Sequence, residues 1–288
     1  MPNYKLLALD LDGTLLDPTS RVSAANARAV RLAQQAGVQV VLCTGRNLTE
    51  TRAFNAQLET PADWAVIANG AAAERFVDGA QMTFDGLDRQ MCRQILAICA
   101  QFHTDPCLYT GDSLYYGREF LRFLQALRQR GHVTLDEAAE GYYYIDSPEK
   151  WRATLEQEDG RILKAILHNV DPAKVDRMIA LLEQDGRFEL APSVMYGGAL
   201  KNVEINCKGV HKGGGLERLA TLLGFGMEAV MAIGDSDNDL TMLRMAGLGV
   251  AMENAAPHIR AAADAVTAGN AVDGVAQAIY RYILEENT

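Results

Sequence analysis

Long apolar runs are missing from this chain. No stretch approaches the roughly 20 residues of a bilayer-spanning helix. The one apolar segment near the N-terminus is interrupted by Asp10 and Asp12, so no secretion signal is expected. Basic residues are scarce: Lys and Arg number 27 against 37 Asp and Glu, a net charge of -10. A nucleic-acid reader normally carries a basic face, so that class is disfavoured. Paired cysteines are also missing. The five (Cys43, Cys92, Cys99, Cys107, Cys207) form no Cys-x-x-Cys, and the five histidines are scattered, so no zinc pattern emerges. Together these absences predict a soluble, cytoplasmic protein with free and mostly buried thiols. Internal repeats and low-complexity segments are lacking too. No Gly-x-x-x-x-Gly-Lys-Ser/Thr loop occurs, which disfavours a P-loop nucleotidase.

What is present is a globular composition, 49% hydrophobic and 22% charged over 288 residues, enough for one large domain or two ordinary ones. Lys5–Leu9 reads as a strand buried on both faces. Ser23 can cap a helix carrying Ala27, Val30 and Ala33 on one stripe and ending at Gly37. A strand at Val38–Cys43, a helix at Leu48–Leu58 and a strand at Trp64–Ala68 follow. This alternation predicts an α/β fold with a doubly wound, mostly parallel sheet. The rhythm then changes. A hairpin turns at Asp78-Gly79, a helix spans Leu87–Phe102, and short strands (Cys107–Tyr109, Ile162–His168, Phe188–Leu190, Asn202–Ile205) mix with helices at Phe120–Gln129 and Pro172–Glu183. The aromatic run Gly141–Ile145 is expected to pack in this second module. After Gly209 the first rhythm resumes: a helix from Gly213, strands at Ala229–Ile233 and Leu248–Met252, and a last helix at Val275–Leu284. One sheet domain interrupted by an inserted α/β module is the organisation predicted.

Four polar groups stand where buried elements meet turns, and ligands of open α/β sheets bind at the carboxyl ends of strands. The first is Asp10-Leu11-Asp12-Gly13-Thr14. In an extended chain Asp10 and Asp12 project the same way, and their repulsion requires a divalent cation, a shared proton, or both. The second is Thr44-Gly45-Arg46, whose hydroxyl and backbone N–H groups can hold a phosphate. The third is Lys212, followed by three glycines at a helix start. The fourth is Asp235, with Asn238 and Asp239 behind it. As isolated tripeptides or single residues these are weak signals. The run Asp235–Asp239 fails as a calcium loop, because Leu240 replaces the required Gly and Ala246 the terminal Glu. The ordered set of four carries the signal.

That set, with Asn69-Gly70-Ala71, Glu204-Ile205 leading to Gly209–Gly213, and Ala251-Met252-Glu253-Asn254-Ala255, resembles the haloacid dehalogenase-like superfamily, in its Cof-type branch. The likeness covers a core of residues 1–83 and 207–288. The inserted residues 84–206 are similar in size and position to a type IIB α/β cap, the substrate-specificity domain of that branch. The resemblance implies a magnesium-dependent phosphatase of small phosphorylated metabolites, sugar phosphates or phosphorylated cofactors, acting through an aspartyl-phosphate. Asp10 would be the nucleophile and Asp12 the proton carrier. Mg2+ would be held by Asp10, the backbone carbonyl of Asp12 and Asp235. Leu11, Thr44, Gly45, Lys212 and Asn238 would bind the phosphoryl group, and Asp239 would stand behind Lys212 or a metal-bound water. Arg46 is read as structural. Two alternatives stay open: a phosphomutase or dedicated sugar-phosphate phosphatase of the same fold, and a non-catalytic metabolite sensor. No nucleic-acid or membrane partner is expected.

Overall fold

A computed structural model of the chain describes residues 4–130, 140–195 and 200–284. The chain divides into two compact units, residues 1–84 with 211–288 and residues 85–210. The first unit begins with β1 (Leu6–Leu9), α1 (Ala24–Gln35), β2 (Gln39–Cys43), α2 (Leu48–Asn55), β3 (Trp64–Ile67), β4 (Ala72–Arg75) and β5 (Ala80–Thr83). The inserted unit contributes α3 (Arg89–Gln101), β6 (Cys107–Tyr109), β7 (Leu114–Tyr116), α4 (Arg118–Arg128), β8 (Tyr142–Tyr144), α5 (Pro148–Gln157), β9 (Lys164–Asn169), α6 (Pro172–Asp185), β10 (Phe188–Met195) and β11 (Leu200–Cys207). The chain then returns to the first unit with α7 (Lys212–Leu222), β12 (Val230–Gly234), α8 (Leu240–Met245), β13 (Leu248–Met252), α9 (Pro257–Ala262), β14 (Ala265–Thr267) and α10 (Gly274–Tyr282).

The first unit is an eight-stranded sheet in the order β14-β13-β12-β1-β2-β3-β4-β5. It is parallel from β14 to β3, and β4 and β5 add an antiparallel edge. Strand β1 is buried throughout. Its odd and even residues enter different cores: Leu7 and Leu9 pack with Val30 of α1 and Ile279 of α10, whereas Leu6 and Ala8 pack with Leu216 and Leu219 of α7. This is why β1 reads as an unbroken apolar run. Each leucine so buried contributes about 1.5–3 kcal/mol. The chain moves outward from β1 to β2 and β3, then returns on the other side through β12 and β13. Strand β1 is therefore the topological switch point, where a crevice opens at the strand ends.

The inserted unit is a six-stranded sheet in the order β10-β11-β9-β6-β7-β8, antiparallel except between β7 and β8. Helices α3, α5 and α6 cover one face through Ile95, Trp151, Val175 and Met178, and α4 covers part of the other through Phe120 and Leu124. The long pair β10/β11 exceeds its sequence prediction. Its ladder includes Ala191 opposite Glu204 and Ser193 opposite Asn202, and an apolar pattern cannot register such pairs. Helix α5 was also missed, although Ser147 caps it by accepting from Lys150 N and Pro148 opens its first turn. In the aromatic run, Tyr115 and Tyr143 stack with ring centroids 5.2 Å apart, but Tyr143 and Tyr144 remain exposed. The expected packing is thus only partly realised.

Candidate active site

Strand β1 ends at Leu9 rather than running through the carboxylates. Residues 10–14 form a turn closed by Thr14 N to Leu11 O (3.2 Å) and Leu15 N to Asp10 O (3.2 Å). The expectation that Asp10 and Asp12 project the same way from an extended chain is corrected here, because the backbone hydrogen bonds bend the segment. Asp10 is buried, whereas the Asp12 side chain is 54% exposed. Gly13 makes the turn possible. Its φ is +82°, and a Cβ there would fall on the Asp235 carboxylate.

Three loops converge on Asp10. Lys212, the first residue of α7 and 1% exposed in its side chain, donates to Asp10 Oδ1 and to Asp239 Oδ1, each at 2.6 Å. The other Asp239 oxygen accepts from the backbone N–H groups of Asp235 and Ser236, both at 3.0 Å, and from Ser236 Oγ at 3.1 Å. Both Asp239 oxygens are thus committed to the protein. Asp235 follows β12; its Oδ1 accepts from Thr14 Oγ1 (3.0 Å) and its Oδ2 from Asn254 Nδ2 (3.3 Å). Asn254 lies just beyond β13 and also donates to Gly13 O at 2.9 Å. The chain after β3 approaches α7 closely: Ala68, Asn69 and Gly70 all have positive φ, and a Cβ on Gly70 would collide with the His211 carbonyl. That bend brings Asn69 Oδ1 within 3.2 Å of Asn238 Nδ2.

The sequence-predicted residues fall as follows. Asp10, Lys212, Asp235 and Asp239 form one hydrogen-bonded or closely packed cluster. Thr44, buried at the end of β2, accepts from Arg46 N at 3.1 Å and retains its hydroxyl hydrogen as a donor. Asn238 is held by Asn69 and by Ser236 Oγ at 2.7 Å. Asp12 does not join the buried carboxylates. Its two oxygens accept from Nε and Nη2 of Arg46, both at 2.7 Å. Repulsion at Asp10 therefore comes foremost from Asp239, then Asp235, and least from Asp12. Thr14 and Asn254 are site residues that sequence reasoning gave no role, and Asn69, whose neighbourhood is expected from sequence only to contact the leaving group, accepts from Asn238. Each stands at or just beyond a strand end, which was the available signal.

The electrostatics show what the cluster lacks. Burial, with the neighbouring Asp239, holds the Asp10 carboxyl well above the usual carboxylate range. Burial and Asp239 likewise push Asp235 up to about 6. Burial alone would lower Lys212, but Asp10 and Asp239 more than reverse that and keep it protonated. Asp10 Oδ2 is buried with no hydrogen-bond partner. Oxygens of Asp10, Asp235 and Asp239 lie within 4.8 Å of one another. An orphaned carboxylate oxygen beside a second carboxylate with a raised pKa suits a hard divalent cation, which takes oxygen ligands and favours ionised carboxylates. The donor set fits a divalent metal.

This fit yields a pH prediction. For Asp235 the native state holds its proton more tightly than the unfolded chain, whose value is near 3.8. The unfolded state therefore loses its proton first. Stability of the metal-free protein should fall as pH rises from about 4 to about 6, then level off for this group. Below about pH 6 the native Asp235 carboxyl holds a proton that competes with metal, so magnesium should raise the melting temperature more at about pH 7.5 than at about pH 5. A magnesium shift that is equal at both values, or larger in acid, would remove Asp235 from the metal site.

With this geometry in view, comparison with known proteins is decisive. A family model described as haloacid dehalogenase-like hydrolase matches residues 7–279. The chain belongs to this family. It is 33% identical over 287 residues to phosphatase YwpJ of Bacillus subtilis, covering 94% of this chain and 97% of that protein. It is 30% identical over 285 residues to the B. subtilis 5-amino-6-(5-phospho-D-ribitylamino)uracil phosphatase YcsE, covering 98% and 97%. A solved haloacid dehalogenase-like hydrolase from B. subtilis shares the fold with a TM-score of 0.80 and 29% identity, over 97% of this chain and 100% of that one. The protein is a phosphoric monoester hydrolase of the haloacid dehalogenase-like family. A solved subclass IIB sugar phosphatase of the superfamily shares the fold, with a TM-score of 0.74 and 22% identity over 96% of this chain and 98% of that one. No helix among the described residues is long and apolar enough to cross a membrane.

Proposed function

We propose that the enzyme hydrolyses small phosphorylated metabolites, sugar phosphates or phosphorylated cofactors, through an aspartyl-phosphate on Asp10. The carrying observation is the state of Asp10 at the switch-point strand: one oxygen fixed by Lys212, the other buried without a hydrogen-bond partner. Asp10 attacks phosphorus, the bond from phosphorus to the ester oxygen breaks, and Asp12 gives its proton to that departing oxygen. Water then attacks phosphorus and passes a proton to Asp12. The bond from phosphorus to Asp10 breaks and inorganic phosphate leaves. Leu11 N–H, Thr44 Oγ, Gly45 N–H, Lys212 and Asn238 receive the phosphoryl oxygens, where charge shifts in the transition state. Asp239 orients Lys212, since its second oxygen is already held by three donors. Asp10, Asp235 and the Asp12 carbonyl would hold Mg2+, which when bound screens the nucleophile from the anionic substrate.

The inserted unit, which the sequence reading set at residues 84–206 beside a core of 1–83 and 207–288, is proposed as the cap that selects the leaving group. The named activities of relatives, on a phosphoribitylamino-uracil and on pyridoxal phosphate, support a polar phosphorylated metabolite as substrate. The test is phosphate release from a panel of sugar phosphates, pyridoxal phosphate and ribityl phosphates, with magnesium and with excess chelator. Magnesium-dependent release is expected. Isomerisation of a hexose phosphate without release would instead make the enzyme a mutase, and full release in chelator would remove the metal.

A further inference from the structure

Arg46 lies beyond the residues to which the proposed chemistry assigns a part, yet its side chain is anchored by Asp12, Phe54 and Glu50. Its Nε and Nη2 donate to the two oxygens of Asp12, each at 2.7 Å, in the fork-on-fork arrangement that only arginine offers a carboxylate. The guanidinium lies over the ring of Phe54, 4.8 Å from its centroid. Its Nη1 is 3.9 Å from Glu50 Oε1. Glu50 is itself fixed, because it closes the capping box of α2: Asn47 N donates to Glu50 Oε2 at 3.2 Å, and Glu50 N to Asn47 Oδ1 at 2.9 Å. The Arg46 backbone is held as well, donating to Thr44 Oγ1 (3.1 Å) and accepting from Ala68 N (3.0 Å). By contrast the Asp12 side chain is half exposed and sits on a turn. A half-exposed aspartate without such a clamp samples several rotamers, and each departure from the reactive geometry slows proton transfer.

We infer that Arg46 is a positioning residue for Asp12, holding its carboxyl group in the orientation from which it exchanges a proton with the ester oxygen and with water. The inference rests on the proton-carrying role proposed for Asp12. Arg46 thereby links the loop after β2, helix α2 and the proton carrier through its own contacts.

The test compares kcat/KM for an alkyl phosphate and for 4-nitrophenyl phosphate. The alkoxide must be protonated as it leaves, whereas nitrophenolate departs unaided. Loss of Arg46 as a mere structural strut would lower both alike. Arg46→Gln is expected to lower kcat/KM for the alkyl phosphate about 10- to 100-fold more than for the aryl phosphate, a part of the 10²–10⁴ range of general acid catalysis. Arg46→Lys keeps a cation beside Phe54 and Glu50 but cannot bridge two oxygens. It is expected to show a smaller bias of the same sign, and it carries the test if the glutamine variant does not fold. Asp12→Asn should show the full bias, and combining it with Arg46→Gln should add no further bias. Equal losses on both substrates in both Arg46 variants, beside a biased Asp12→Asn, would overturn the Arg46 assignment alone. An unbiased Asp12→Asn would overturn the proton-carrying role itself, and the Arg46 assignment with it.

Discussion

Asp10→Asn is expected to cut phosphate release by at least about 10⁴-fold while the protein melts within a few degrees of the parent. The size follows from the role, since an amide cannot form the acyl phosphate, and removing a nucleophile typically erases the covalent route. Retained stability follows from the site. Asp10 is buried, and its charged form is already disfavoured by that burial and by Asp239. A neutral amide of the same shape removes a desolvation cost. Lys212 then keeps Asp239 as its partner at 2.6 Å. Phosphate release and thermal melting of the purified variant check both halves. Parent-like turnover in a folded Asp10→Asn protein would sink the nucleophile assignment.

Lys212→Met is the second large effect, and it differs in kind because stability should suffer as well as activity. Lys212 is the cation shared by two buried carboxylates, Asp10 and Asp239. Asp239 retains its three donors from residues 235 and 236, but Asp10 loses the bond to its Oδ1 while its Oδ2 has none. Removing one partner of a buried ion pair costs about 3–5 kcal/mol, because the remaining charge stays buried. Loss of a cation aimed at developing phosphoryl charge should lower kcat by a further 10²–10³-fold or so. Denaturant midpoints and steady-state kinetics on the same variant separate the two effects. Magnesium should restore part of the stability by taking Asp10 as a ligand, and it should leave the kinetic defect in place. A variant as stable and active as the parent would show that Lys212 does not pair the carboxylates in solution.

The sequence announced the core strands because β1, β2, β12 and β13 are buried on both faces and so read as unbroken apolar runs. It announced Asp10, Thr44, Lys212 and Asp235 because each stands where such a run or a helix start meets a turn. Less could be read where structure depends on partners distant in sequence. Strands β7 and β8 have three residues each, and β10 and β11 carry polar residues opposite one another, so neither pair shows a strong periodic signal. The pairing of Arg46 with Asp12 spans 34 positions and depends on the turn after β1 and the ring of Phe54 beneath the guanidinium. Composition and spacing contain neither. The opening expectation about Asp10 and Asp12 erred for a related reason: it treated residues 10–12 as extended, while hydrogen bonds from Thr14 and Leu15 close them into a turn.

The central claim is that phosphorus passes through Asp10. It is tested most directly by rapid quench of the Asp12→Asn variant with magnesium and 4-nitrophenyl phosphate, whose leaving group departs without a proton, followed by mapping of the phosphorylated peptide by mass spectrometry. Loss of the base slows attack of water on the acyl phosphate, so the intermediate should accumulate. The account predicts a hydroxylamine-labile phosphoryl group on Asp10, formed only when magnesium is present. A phosphoryl group on another residue, or steady phosphate release from the variant with Asp10 never modified, would contradict it.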